Sequence, residues 1–132
     1  MRNFEIYCDG GARGNPGPAA SAFVVYEDGK IIHKEGKFLG VATNNVAEYS
    51  AVIMALIWLK EIASVTFFLD SELVVKQLTG VFKIKNENLK DLAIKAKTLK
   101  KNFSGKIIYK NLRREKNTAA DSLVNETLDM ST

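Results

Sequence analysis

The chain reads as an α/β fold, a mixed five-stranded sheet with helices on both faces. Three observations lead there. Five short runs are alternating or wholly apolar, the pattern expected of strands. Runs of helical period separate the later strands from one another but not the first three. An Asp-Gly pair joins the second and third strands, a strong hairpin signal. The order, three strands, a helix, a strand, two helices, a strand and a helix, implies an antiparallel meander followed by parallel crossovers.

Residues 2–9 alternate, with Phe4, Ile6 and Cys8 on one face and Glu5, Tyr7 and Asp9 on the other. This first strand is expected to stop at Gly10-Gly11, because residues 10–18 hold four of the nine glycines and both prolines and read as a turn-rich loop. Residues 22–26 and 31–38 flank Glu27-Asp28-Gly29-Lys30 and form the hairpin. From Asn45 to about Lys60 the pattern is helical, and residues 51–59 are apolar all round, so this helix packs on most of its surface. Residues 65–69, β-branched and aromatic, read as a strand buried on both faces. Residues 71–78 form a short helix stopped by Gly80, residues 88–101 a longer helix and residues 106–109 the last strand. Asn117 caps a final helix through Leu128. With no internal repeat and no linker, residues 1–132 are expected to form one domain.

Hydrophobic residues make up 46% of the 132 and charged residues 26%, which provides for a real core and excludes wholesale disorder. The longest apolar run, residues 51–59, is far short of the ~20 needed to span a bilayer. The N-terminus lacks the apolar stretch of a secretory leader, and the lone Cys8 allows neither an internal disulfide nor a multi-cysteine zinc site. A reducing, cytoplasmic location is therefore expected. The net charge of +4 is unevenly spread, since residues 83–116 carry twelve basic and three acidic side chains. Concentrated positive charge on a small protein fits a polyanionic partner, because neutralised phosphates release their counterions. A solvated lysine-rich helix face explains Lys90, Lys95, Lys97, Lys100 and Lys101 equally well.

Four carboxylates occupy element ends. Asp9 and Asp70 each follow a strand, at the carboxyl end where open α/β sheets form ligand crevices. If those strands are parallel neighbours, ~4.8 Å apart, the two acids crowd each other unless a cation lies between them. Glu48 stands in the first turn of an otherwise apolar helix, and Asp121 in the first turns of the last helix. Each has a local explanation: Asp9 starts a turn, Asp70 caps a helix, Glu48 closes a capping box with Asn45, and Asp121 favours a helix dipole. Together, four acids able to converge suit hard divalent cations such as Mg²⁺, and two such ions can hold both oxygens of a phosphodiester displacement.

These residues resemble a known family. Cys8-Asp9-Gly10-Gly11-Ala12-Arg13-Gly14-Asn15-Pro16-Gly17-Pro18, Thr43-Asn44-Asn45-Val46-Ala47-Glu48, Leu69-Asp70-Ser71 and Asn117-Thr118-Ala119-Ala120-Asp121 are similar to the successive motifs of type 1 ribonuclease H. The match covers nearly the whole chain, in order. The resemblance implies a ribonuclease H-like fold and an endonuclease that cuts the RNA strand of RNA–DNA hybrids. It also implies two Mg²⁺ or Mn²⁺ ions, 5′-phosphate and 3′-hydroxyl products, and Asp9, Glu48, Asp70 and Asp121 as the metal-binding catalytic carboxylates. Asn15, Asn44 and Asn45 match hybrid-contacting positions, and such amides suit a 2′-hydroxyl that both donates and accepts. Asn15 before Pro16 is equally apt turn chemistry. Thr43 matches a phosphate-contacting threonine on the DNA side and Asn86 a second residue of that pocket. Arg13 either adds a phosphate contact or is solvated.

The departures from the family pattern are as specific. The connection Val81-Phe82-Lys83-Ile84-Lys85-Asn86 replaces the long basic protrusion of some members, so grip falls to Lys83, Lys85 and neighbouring lysines, with weaker, salt-dependent binding. The loop before Asp121 lacks the histidine of many members, and Arg113 or Arg114 is expected to stabilise charge near the scissile phosphate instead. His33, the only histidine, reads as a hairpin surface residue; Cys8 and Trp58 read as core. Glu72 adds a negative charge after Asp70-Ser71, where some relatives are uncharged. The expected partner is an RNA–DNA hybrid, with double-stranded RNA left open, no membrane, and a monomeric state. Two other readings compete: a non-catalytic hybrid-binding module, opposed by the presence of all four acids, and a resolvase or integrase core, for which 132 residues leave little room.

Overall fold

In the computed structural model, which describes residues 1–131, five strands and four helices follow the expected order. The strands are β1 (Arg2–Ala12), β2 (Gly17–Glu27), β3 (Lys30–Ala42), β4 (Ala63–Leu69) and β5 (Lys106–Asn111). The helices are α1 (Asn44–Trp58), α2 (Glu72–Leu78), α3 (Glu87–Asn102) and α4 (Thr118–Met130), with a 3-10 turn at Arg114–Lys116. The sheet order is β3-β2-β1-β4-β5, antiparallel from β3 to β1 and parallel from β1 to β5. The Asp28-Gly29 hairpin forms, with both residues at positive φ, 52° and 77°.

The main core lies between one sheet face and α1, α2 and α3, built around Ile6, Cys8, Phe23, Val25, Val52, Val65, Phe67 and Leu69. On the opposite face α4 packs Val124 and Leu128 onto Ala20 and Ala22 of β2. Trp58, as expected, sits against the core, ringed by Phe4, Phe23 and His33. His33 stacks on it at 4.9 Å and reaches Glu35 at 3.0 Å.

Several boundaries differ from expectation, for reasons of pairing. The glycine-rich segment is mostly strand: Gly10, Gly11 and Ala12 pair with Ser21, Ala20 and Ala19, so only residues 13–16 turn. Gly17 closes that turn, where a Cβ would stand 2.2 Å from the Arg13 carbonyl oxygen. β4 is not buried on both faces. Ala63, Val65, Phe67 and Leu69 are buried, but Ser64, Thr66 and Phe68 are only partly covered, because α4 lies over β1, β2 and β3. α1 starts one residue earlier than expected, on Thr43, whose hydroxyl accepts from the Val46 amide. Glu48 is thus the fifth helical residue, and the capping box with Asn45 does not form. α2 likewise starts on Ser71, whose hydroxyl accepts from the Val74 amide, so Asp70 is free of capping duty.

Candidate active site

β1 and β4 run parallel with Cys8 level with Leu69, so the next residues, Asp9 and Asp70, leave the carboxyl edge of the sheet side by side. α1 supplies the third acid. It packs so close to β1 that a Cβ on Gly10 would lie 2.2 Å from the Ala47 carbonyl carbon, and the buried Ser21 hydroxyl donates to the Ala47 carbonyl at 2.6 Å. This contact places Glu48 over the crevice. Asp9, Glu48 and Asp70 each offer a carboxylate oxygen within 4.8 Å of the others. Asp121, in the first turn of α4, lines the same crevice of about 250 Å³ together with Asn44 and Arg114.

The electrostatics are those of an anion cluster in a dry setting. Asp9 and Glu48 are 6% and 7% exposed. Burial, then the charges of Asp70 and Asp121, raise Asp9 from an ordinary 3.8 to about 7, against smaller opposing effects of the Gly10 amide and Arg114. Burial, then Asp9 and Asp70, hold Glu48 well above its ordinary range, with Arg114 again opposing. Glu48 Oε2 is buried without a hydrogen-bond partner. Clustered oxygen donors, one of them orphaned, fit a hard divalent cation, which would satisfy that oxygen and remove the repulsion.

Asn117 was expected only to cap the last helix. It holds the cap position of α4, but its side chain makes no cap bond. Fully buried, it donates from Nδ2 to the Cys8 carbonyl at 2.8 Å and to Asp70 Oδ2 at 3.2 Å. It therefore ties α4 to the ends of β1 and β4 and braces Asp70. The sequence carries no signal that separates this strut from an ordinary cap, since asparagine favours both.

The remaining predicted residues surround the crevice or stand apart from it. Asn44 Oδ1 accepts from the Ala12 amide at 2.8 Å, and Asn15 Oδ1 accepts from the Asn44 amide at 3.0 Å, which pins the loop to the start of α1. Asn45, partly buried, follows in the same turn. Asn86 caps α3, its Oδ1 accepting from the Leu89 amide at 3.2 Å. Of the two arginines only Arg114 lines the crevice; Arg113 is 81% exposed and pairs with Glu115 at 3.8 Å. Arg13 is engaged by Asp129 at 2.6 Å. Glu72 turns to Lys76 at 2.6 Å, outside the carboxylate cluster. Cys8 is fully buried, and burial raises its thiol well above its ordinary pKa.

Comparison with known proteins places this geometry in context. A family model described as Reverse transcriptase-like matches residues 7–127. A protein named Ribonuclease HI from Halobacterium salinarum is 41% identical over 128 residues, 95% of this chain and 64% of the relative. A bifunctional protein of Mycobacterium tuberculosis is 38% identical over 128 residues, 94% of this chain and 35% of the relative. The chain thus spans between about a third and two thirds of the length of these curated relatives. Among solved structures, LC11-RNase H1 in complex with an RNA/DNA hybrid superposes with a TM-score of 0.90 at 40% identity, over 97% of this chain and 98% of that one. RNase H1 of Halobacterium salinarum superposes with a TM-score of 0.92 at 38% identity, over 97% and 98% of the two chains.

Proposed function

Because the chain belongs to the ribonuclease H family, we propose that it hydrolyses the RNA strand of RNA–DNA hybrids, leaving 5′-phosphate and 3′-hydroxyl ends. The carrying observation is the convergence of Asp9, Glu48 and Asp70 from three distant segments, with ligand oxygens within 4.8 Å. These three with Asp121 would hold divalent ions, Mg²⁺ or Mn²⁺, two with substrate bound. When bound, such ions polarise the phosphodiester and lower the pKa of the attacking water.

The chain's own groups do the rest. Arg114, beside Asp9 and Glu48, offsets negative charge where the scissile phosphate would enter. Asn117 holds Asp70 in one orientation. The recognition residues share one property. Asn15, Asn44 and Asn86 each spend the amide oxygen on a backbone N–H, and Thr43 spends a lone pair on Val46. Each keeps its donor hydrogens, suited to phosphate oxygens and to the 2′-hydroxyl as acceptor. The structural and recognition roles of these residues are therefore compatible, and Asn45 would join them from the same turn.

The test is an incubation of labelled RNA–DNA hybrid, double-stranded RNA and double-stranded DNA with Mg²⁺, Mn²⁺ or chelator. The expected result is cleavage of the hybrid's RNA strand that requires metal and is lost in Asp70→Asn. Hybrid binding without cleavage in any metal identifies a non-catalytic module instead. Cleavage that survives chelator or Asp70→Asn overturns the assignment.

A further inference from the structure

The sheet face that α4 leaves open carries a row of aromatic rings. Tyr26 of β2, Tyr7 of β1 and Phe68 of β4 stand side by side, Tyr7 edge-on to Tyr26 at 5.3 Å and 76° and stacked on Phe68 at 4.8 Å. Between the two tyrosines and the start of α4 lies a second cleft of about 250 Å³, lined by Glu5, Tyr7, Tyr26, Lys116, Thr118 and Ala119. It combines two rings set nearly at right angles, a carboxylate, a hydroxyl and an ammonium. None of these groups has a part in the carboxylate crevice.

Two observations say what fits. First, three lysines against the single carboxylate of Glu5 favour an anion around the rings. Pairing puts Lys110 level with Phe68, and Lys34 level with Val24, which faces Tyr7, so both lysines share this face. Lys116 stands at the cleft itself. Second, the cleft neighbours the carboxylate crevice, the two being lined by residues two apart on the same segments. One 3-10 turn presents Arg114 to the crevice and, two residues on, Lys116 to the cleft, while Tyr7 precedes Asp9 by two residues on the same strand face.

We propose that this cleft holds an unpaired nucleotide next to the hybrid, its base against Tyr7 and Tyr26 and its phosphate at Lys116. An unpaired base can turn a free face to an aromatic ring away from the end of the duplex, and such stacking tolerates any sequence. Glu5 and Thr118 supply an acceptor and a hydroxyl for the edge of the base. Which strand arrives there rests on the hybrid-cleavage reading; the recognition of an unpaired base does not.

Fluorescence anisotropy in chelator, where the substrate stays intact, compares a blunt labelled RNA–DNA hybrid with the same hybrid extended by a short unpaired tail on the RNA or on the DNA strand. A tail on at least one strand should tighten binding roughly tenfold, as one stacked base would. Tyr26→Leu should abolish that gain, Tyr26→Phe should keep it, and neither should change affinity for, or cleavage of, the blunt hybrid. A wild-type protein indifferent to both tails, or a gain that survives Tyr26→Leu, overturns the proposal. Should circular dichroism show Tyr26→Leu misfolded, Lys116→Gln at an exposed position serves instead, and an undiminished gain there overturns it as well. Cleavage of the blunt hybrid without any tail effect removes the cleft alone, whereas a tail effect without cleavage removes the nuclease reading alone.

Discussion

At the scale of single residues, the acids that hold the site together chemically strain it electrostatically. Asp9 binds its proton more tightly folded than unfolded, with a pKa raised to about 7, and Glu48 shifts in the same direction. The stability Asp9 contributes is fully present below about pH 4 and is lost as pH rises through about 7, and Glu48 acts with the same sign. Thermal unfolding in chelator should therefore show a melting temperature that falls between pH 5 and pH 8, a slope that Asp9→Asn reduces and that millimolar Mg²⁺ offsets. A melting temperature independent of pH and of metal would contradict this account. The two arginines give a sharper contrast, because only Arg114 lines the crevice. Turnover should fall on the order of 100-fold in Arg114→Ala and stay unchanged in Arg113→Ala, as measured by steady-state cleavage of hybrid. The acids were legible in the sequence because carboxylates after strands, with recognisable neighbours, point to a shared crevice. Asn117 was not, since a cap and a strut make the same demand on residue type and differ only in where the amide turns.

At the scale of elements, the site depends on how closely α1 approaches β1. Gly10 is the contact, and an added Cβ would stand 2.2 Å from the Ala47 carbonyl carbon, whereas one on neighbouring Gly11 would meet nothing nearer than 4.0 Å. Gly10→Ala should push α1 outward, cost about 1–3 kcal/mol of stability in denaturant unfolding, and separate Glu48 from Asp9 enough to abolish cleavage. Gly11→Ala, on a strand and with space, should retain activity; equal losses in both variants would show that helix approach is not what matters. Element type was readable from periodicity, and the hairpin from Asp28-Gly29. The extent of β1 and β2 was not, because the glycines and prolines of residues 10–18 argue locally for a loop while the ladder from Gly10–Ser21 to Ala12–Ala19 is set by partners elsewhere. Similarly, β4 looked doubly buried in isolation, and only the placement of α4 over β1, β2 and β3 leaves Phe68 half-open.

At the scale of the whole molecule, charge is segregated. Residues 83–116 hold a net +9 within a chain of net +4, and the carboxylates gather at the opposite sign in one crevice. Lys83, Lys90 and Lys97 border a groove with Phe82 and Ile84 on the short connection between α2 and α3 and on α3 itself. Hybrid affinity should consequently fall steeply with salt, by about 0.7–0.9 logarithmic units per decade of salt for each phosphate contacted, and Lys83→Gln with Lys85→Gln should flatten that dependence. A flat profile in the unaltered protein would refute the assignment of grip to these lysines. The antiparallel meander followed by parallel crossovers was readable at this scale from the order of elements, while the strand order itself came only from the structure. The open aromatic face was not readable either, because nothing local says how much of a sheet a single 13-residue helix will cover. The parallel pairing of β1 with β4 also has a temporal side. Residues 9 and 70 become neighbours only once that pairing is complete, and Asp70 is braced only after Asn117 has been made and folded in. A growing polypeptide therefore carries these carboxylates apart, and the crevice takes its braced form only after residue 117 has emerged.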